Sequence, residues 1–558
     1  MPLCNVAHRL AEQARARPDA VAIAEPRGGL RNGSFSYQTW TFRELDEDSN
    51  RIAAGLLAMG IPRGTRLALL VPMSADFISL VFALLKAGMV SVLIDPGMGR
   101  KNLLRCLAEA RPQGFIAVPL AQAIRRLLAG RFPEAKHFVT AGRRWFWGGK
   151  TLAELRRIAA EPFACAPTSS DDPAAIIFTT GSTGPPKGVL YPQRIFERQV
   201  AEIQSFYGIE AGEIDLPGFP LFGLFNAAMG VTTVIPQMDF TRPAQVDPRK
   251  FVAHIRDWKC TQAFGSPALW NTVGRYLEAN RIQLPTLRRA LSAGAPVPPH
   301  VLERIKAAIH PAGDVHTPYG ATEALPIASI AASEVLAETA AQSRLGKGTC
   351  VGRRFGGMEW RVIRITDEPL ATIDQTDELS TGEIGELIVR GPVVTREYVT
   401  RTEANALHKI RDGETFWHRM GDVGYLDASA TEAHTERFWF CGRKSHRVLT
   451  ESGTLYTIPC EAIFNQHPRV YRSALVGVGP RGQQRPVLIV EPWPDQRPRN
   501  HADETALLSE LAALAQSTRH TSGIGDFFIL PGLPVDIRHN AKIFREQLAG
   551  WAAKRLRL

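Results

Sequence analysis

The sequence predicts an α/β protein built on mainly parallel sheets, followed by an antiparallel β section and a smaller α+β domain. Three observations predict this. Short β-rich runs alternate with helical patterns from the start, as in Arg66 to Val71, Ala75 to Lys86 and Val90 to Ile94, which is the punctuation of βαβ units. After about Val351 the texture changes to longer strands divided by glycine turns, such as Glu359 to Ile365 and Glu386 to Arg390, a pattern suited to an antiparallel sheet or small barrel. From about Lys444 the chain has its own strands, Ser473 to Val478 and Pro486 to Val490, and a helix over Glu504 to Gln516.

Further strands are expected at Gly114 to Val118, Ala174 to Thr180, Gln262 to Phe264 and Arg289 to Ser292, each followed by a turn or a helical pattern, as parallel pairing requires. The 558 residues, 45% apolar and 22% charged, allow several domains with a large core and exclude a small disulfide scaffold. Seven cysteines (Cys4, Cys106, Cys165, Cys260, Cys350, Cys441, Cys460) are scattered without a C-x-x-C, so reduced thiols in a cytoplasm are expected. Met1-Pro2-Leu3-Cys4 runs at once into His8 and Arg9 without an apolar signal core. The most apolar window, Phe77 to Leu85, stops at Lys86, short of the roughly 20 residues of a membrane span. A net charge of +11 would suit nucleic acid, but the basic residues are spread among acids, and the densest clusters, Arg125-Arg126 and Arg143-Arg144, are pairs. A basic stripe is therefore absent and no nucleic-acid partner is expected.

Chemistry concentrates first at Gly181-Ser-Thr-Gly-Pro-Pro-Lys-Gly188, directly after the buried run Ala174 to Thr180. Glycines let backbone N–H groups approach an anion, Ser182 and Thr183 add donors, and Lys187 adds a full charge. The spacing is not that of a Walker A loop, which would need Gly at Pro186 and a hydroxyl at Gly188. A second concentration, Tyr319-Gly-Ala-Thr-Glu323, carries an aromatic, a hydroxyl and a carboxylate on one strand-end turn. A carboxylate beside a triphosphate is repelled unless a cation lies between them.

Thr179 through Gly188 resembles the signature loop of the adenylate-forming superfamily of acyl-CoA synthetases, luciferases and nonribosomal adenylation domains, and Trp40 to Leu45 with Leu84 to Gly88 resemble its early core motifs. The resemblance implies a large N-terminal domain over 1–443, with two α/β subdomains and a small β-barrel. It also implies a mobile C-terminal cap over 444–558 and an active site between the two. It implies that Thr179, Thr180, Gly181, Ser182, Thr183, Gly184 and Lys187 hold the phosphates of ATP, and that Gly294, Ala295 and Pro296 of Ser292-Ala-Gly-Ala-Pro296 lie beside adenine. Tyr319 and Gly320 would pack at the base, Thr322 would contact the α-phosphate and Glu323 would hold Mg²⁺. Asp422, in Met420-Gly-Asp422, would accept the ribose hydroxyls, with Met420 standing where a hydroxyl is usual, and Arg443 would approach ribose or phosphate. Lys542, in Arg538-His-Asn-Ala-Lys-Ile543, would bridge substrate carboxylate and α-phosphate, with Ala541 in the usual glycine place.

Two competing patterns are set aside. Gly348-Thr-Cys-Val-Gly352 mimics a nucleophile elbow, yet no clear strand precedes it and no His-Asp pairing is readable. The fourteen histidines show no zinc spacing.

Positions associated with CoA transfer differ: Gly223 after Pro220-Leu-Phe, Gln193, Ser445 and Leu449. Long stretches, including Met238 to Pro243, His316 to Glu323, His418 to Tyr425 and Pro534 to Ile543, resemble olefin β-lactone synthetases. That resemblance implies adenylation of a long-chain 2-alkyl-3-hydroxyacid and attack of its own 3-hydroxyl to give a β-lactone and AMP, with a long-chain acyl-CoA synthetase as the alternative. It also implies a β-lactone decarboxylase and a reductase as pathway partners. Phe219, Phe222, Phe225 and Met229 are the candidate alkyl-site residues, although core packing would explain them equally.

Overall fold

The computed structural model describes residues 4–557 apart from 159–162, 180–183, 428–435 and 536–542. Two sheets with parallel centres form the body. The seven-stranded sheet runs Lys150–Thr151, His137–Thr140, Gly114–Ala117, Arg66–Leu70, Val90–Leu93, Pro173–Phe178, Gly188–Pro192, and only its last pair is antiparallel. The nine-stranded sheet keeps a parallel run from Val21–Arg31 across to Asp314–Ala321 and is closed by antiparallel pairs at both edges. The expected strands are all present, each within three residues of its predicted ends. Val71 leaves the ladder just before Pro72, a residue with no N–H to donate.

The helix Ala75–Lys86 matches its expected span. Ser74 caps it, accepting from Phe77 N at 3.2 Å, and nearly every residue in it is buried in the core it shares with both sheets. Lys86, at its end, is itself buried, its ammonium held by Asp46 Oδ1 and Asn50 Oδ1 at 2.6 Å and by Ser49 Oγ at 2.8 Å.

The section after Val351 is the expected antiparallel sheet, in the order Thr349–Cys350, Phe438–Arg443, Thr415–Leu426, Gly385–Arg390, Glu359–Ile363, with Lys409–Asp412 pairing on Thr415–Leu426. The elbow-like Cys350 lies in this sheet, buried against Trp439, and burial pushes its thiol up to about 12, so it is no nucleophile. At the C-terminal end, Val470–Val478, Arg485–Pro492 and Asp526–Ile529 form a three-stranded sheet with the helices Thr457–Phe464, His501–Ala515 and Arg545–Leu556. The middle helix starts ahead of the expected Glu504 because Asn500 caps it, accepting from Asp503 N at 2.9 Å. Among the described residues no helix is long and apolar enough to cross a membrane.

Candidate active site

Both motifs fall between paired antiparallel strands. In the first, Pro173–Phe178 pairs with Gly188–Pro192, and the ladder is continued by Thr179 N donating to Lys187 O and Lys187 N donating to Thr179 Oγ1, each at 3.0 Å. Gly184 is exposed; Thr180, Gly181, Ser182 and Thr183 lie outside the described residues. Lys187 Nζ is 3.4 Å from His408 Nε2 and 4.9 Å from the centre of the Tyr398 ring. Burial lowers its pKa; nearby Glu323 opposes this and Arg443 adds to it.

The second hairpin, Asp314–Ala321 with Ala324–Ala331, places Thr322 and Glu323 at its turn. Gly320 is required there, since a Cβ would meet Ala324 O at 2.7 Å. Tyr191 donates its hydroxyl to Thr322 O. Glu323 is buried; its Oε1 accepts from the Tyr398 hydroxyl at 2.6 Å, and its backbone oxygen accepts from Thr395 N at 2.9 Å and Thr395 Oγ1 at 3.0 Å. Beneath lie His408, Lys409 and His418. Burial, reinforced by Lys187, lowers His408 to about 4, and burial lowers buried Lys409 to about 7 despite the opposing pull of Glu323.

The third group comes from the antiparallel sheet. Asp422 and Arg443 are register partners on adjacent strands, with Arg443 Nη1 2.9 Å from Asp422 Oδ1. The Tyr319 hydroxyl donates to Asp422 Oδ2, so the hairpin turn and the antiparallel sheet are tied together. Asp422 above all holds the Arg443 pKa up, while burial and the same carboxylate push the Tyr319 phenol well up. Met420 is buried in the core beside them, which explains an apolar residue there. Gly294, Ala295 and Pro296 follow the end of Arg289–Ser292, the strand parallel to and adjacent to the one carrying Tyr319. Ser292 Oγ is buried with no partner among the described residues. Lys187, Glu323, Asp422 and Arg443 therefore converge, close enough for Glu323 to act on both Lys187 and Arg443.

Residues 10–399 match the AMP-binding enzyme family. The chain belongs to that family. It is 48% identical to an olefin beta-lactone synthetase of Xanthomonas campestris pv. campestris over 99% of this chain and 98% of that one. An olefin beta-lactone synthetase of Stenotrophomonas maltophilia is also 48% identical, over 99% of both chains. Among solved structures, the anthranilate CoA ligase AuaEII in complex with anthranoyl-AMP superposes with a TM-score of 0.78 at 18% identity, over 100% of this chain and 99% of that one, a likeness of fold. As a member of the AMP-binding family the chain is an ATP-dependent, AMP-forming ligase, with the two-domain α/β architecture of that family.

The donor set suits the magnesium that this AMP-binding enzyme would use with ATP. Among the described residues no cluster of three or more metal-ligating side chains occurs, whereas Glu323 offers a single carboxylate beside Lys187; Mg²⁺ usually takes one or two carboxylates and completes its shell with phosphate and water. Of the candidate alkyl-site residues, Phe219 and Phe222 form an aromatic wall, with Phe222 stacked on Phe264 at 3.9 Å between ring centres. Phe225 and Met229 instead pack into the body core, where Phe225 lines a small apolar cavity with Val81, Leu85 and Leu224. Lys542 and Ala541 lie outside the described residues. Sequence reading missed Tyr398, His408, Lys409, His418 and Phe264. The one local signal was a His-Lys pair entering the apolar-flanked strand Lys409–Asp412.

Proposed function

We propose that the enzyme adenylates the carboxylate of a long-chain 2-alkyl-3-hydroxyacid and then closes the acyl-adenylate to a β-lactone without CoA. The carboxylate displaces pyrophosphate from ATP. The 3-hydroxyl oxygen then bonds to the acyl carbon, the mixed-anhydride C–O bond breaks, AMP leaves and the hydroxyl proton is released. Tethering the nucleophile to the electrophile offsets part of the entropy cost of a second-substrate reaction. The observation that carries this reading is the 48% identity over essentially the whole length to two olefin beta-lactone synthetases.

In this reading Lys187 and the loop from Thr179 to Gly184 hold phosphate, and Glu323 holds Mg²⁺ with Tyr398 fixing its carboxylate. Magnesium would neutralise charge on the phosphates. Thr322 contacts the α-phosphate, Gly294 to Pro296 with Tyr319 and Gly320 border adenine, Asp422 accepts the ribose hydroxyls and Arg443 stands between ribose and phosphate. Lys542, brought in by a C-terminal domain beginning at 444, places an ammonium where carboxylate meets phosphate, so its stabilisation is concentrated in the transition state. Two of the CoA-associated positions lie in packed surroundings. Gln193, standing at a CoA-associated position, is fully buried, and at Gly223 a Cβ would come within 2.7 Å of Met73 Cε. The seven free thiols suit a cytoplasmic setting, and a β-lactone decarboxylase and a reductase would act on either side of this step.

Purified enzyme with ATP, Mg²⁺ and a 2-alkyl-3-hydroxyacid, but no CoA, is expected to give lactone and AMP by mass analysis. A strict CoA requirement with a thioester product would establish the long-chain acyl-CoA synthetase reading instead.

A further inference from the structure

Two features that carry no part of this chemistry meet on the outer face of the seven-stranded sheet's layer. The first is the helix Pro119–Leu127. Its inner side is anchored by Gln122, which donates to Val139 O at 2.9 Å, and by Arg125, whose guanidinium lies 3.8 Å from the centre of the Phe138 ring. Leu120, Ile124 and Leu127 recur at spacings of four and three, one stripe of a helix, and are 70%, 44% and 82% exposed. The second is the segment after His137–Thr140. There Trp147 is buried and donates to Thr140 Oγ1 at 2.9 Å, while its neighbours Trp145 and Phe146 are 57% and 73% exposed.

The two features are adjacent. Gly114–Ala117, which leads into the helix, and His137–Thr140 are neighbouring parallel strands, Ala141 N donates to Ala117 O at 3.0 Å, and Gly142 lies against Pro119. The fold thus brings the start of this helix beside the segment that carries Arg143 and Arg144. Arg125 turns inward, while Arg126 and Arg131 at the helix end and Arg143 and Lys150 on the neighbouring segment are exposed. Arg144 is paired with Glu154. Residues 119–131 and 141–150 contain six basic residues and no Asp or Glu.

We propose that this face docks on an anionic lipid surface. Exposed tryptophan, phenylalanine and leucine side chains enter the boundary between headgroups and acyl chains, and arginines at their rim meet anionic headgroups. A nucleic acid would satisfy the cations and leave Leu120 and Leu127 in water. The docking itself does not depend on the proposed reaction; the route it gives to water-insoluble substrates, for an enzyme without a membrane-spanning helix among its described residues, rests on that reading.

The test is co-sedimentation of the full chain with phosphatidylglycerol–phosphatidylcholine vesicles and with phosphatidylcholine vesicles alone. Salt-sensitive binding to the anionic vesicles is expected. The double variants W145S/F146S and R126E/R143E should each weaken it by roughly tenfold or more, with pyrophosphate release from a soluble short-chain hydroxyacid unchanged. Failure to bind anionic vesicles in preference to neutral ones, or equal binding by both double variants, overturns the proposal. So does a dimer in sedimentation velocity that W145S/F146S dissolves, or duplex DNA binding tighter than vesicle binding.

Discussion

Tyr398 is the residue on which Glu323 depends: its hydroxyl holds Glu323 Oε1 at 2.6 Å, while its ring centre lies 4.9 Å from Lys187 Nζ and 5.6 Å from Lys409 Nζ. Tyr398→Phe keeps the ring and removes one hydrogen bond to a carboxylate, worth about 1.5–3 kcal/mol. It should raise the Mg²⁺ concentration needed for half-maximal pyrophosphate release by roughly tenfold or more, with a smaller effect on folding, as a magnesium titration of variant and parent would show. Lys409 makes a different prediction. In the unfolded chain it titrates near ~10.4, but in the fold burial lowers it to about 7. Between those values the unfolded chain binds more protons, so this residue makes stability rise with pH above about 7, by up to ~1.4 kcal/mol per unit. Lys409→Met should flatten that rise, measured as urea midpoints between about pH 7 and about pH 9; an unchanged slope would mean that Lys409 stays charged in the fold.

At the scale of elements, the turn between Asp314–Ala321 and Ala324–Ala331 is tight, and its tightness is sequence-encoded. Gly320→Ala would drive a Cβ to within 2.7 Å of Ala324 O, so the turn that carries Thr322 and Glu323 must open. A loss of about 1–3 kcal/mol in stability is expected, with adenylation falling further than stability because the carboxylate moves; thermal melts and pyrophosphate release separate the two. The two motifs were legible in the sequence because glycine, hydroxyl and charge crowd into a few residues after an apolar run, as at Gly181 to Gly188 and Tyr319 to Glu323. The layer beneath them was not legible. Tyr398, His408, Lys409 and His418 come from segments with ordinary composition, and what makes them matter is the pairing of Lys409–Asp412 with Thr415–Leu426 under a loop more than two hundred residues earlier. The burial of Lys86 was not legible either. It ends the apolar window Phe77 to Leu85, and Asp46, Ser49 and Asn50 of another helix hold it inside.

For the whole molecule, the decisive feature is where the apolar clusters stop. The two C-terminal clusters draw only on residues from Val448 to Leu556, and no body cluster includes a residue beyond Phe440. Polar contacts link the two parts: Asp367 pairs with Arg447 and Arg481, and Gln466 donates to Arg344 O. The half-exposed Asp367–Arg481 pair is worth about 0–1 kcal/mol, whereas Lys444 on buried Glu386 and the helix Thr457–Phe464 lying against the strand Phe438–Arg443 hold the C-terminal part more firmly. Hydrophobic cores that do not interpenetrate nonetheless fold separately. A fragment of residues 1–443 should therefore melt cooperatively. It should bind ATP within a few-fold of the full chain, because Lys187, Glu323, Asp422 and Arg443 all lie on it. Its pyrophosphate release should fall by roughly two to three orders of magnitude, the scale expected when a donor to developing charge is lost, and Lys542→Ala in the full chain should reproduce that fall with ATP binding intact. A fragment that fails to fold would make the C-terminal part integral to the body, whereas near-normal turnover in either protein would remove Lys542 from the chemistry.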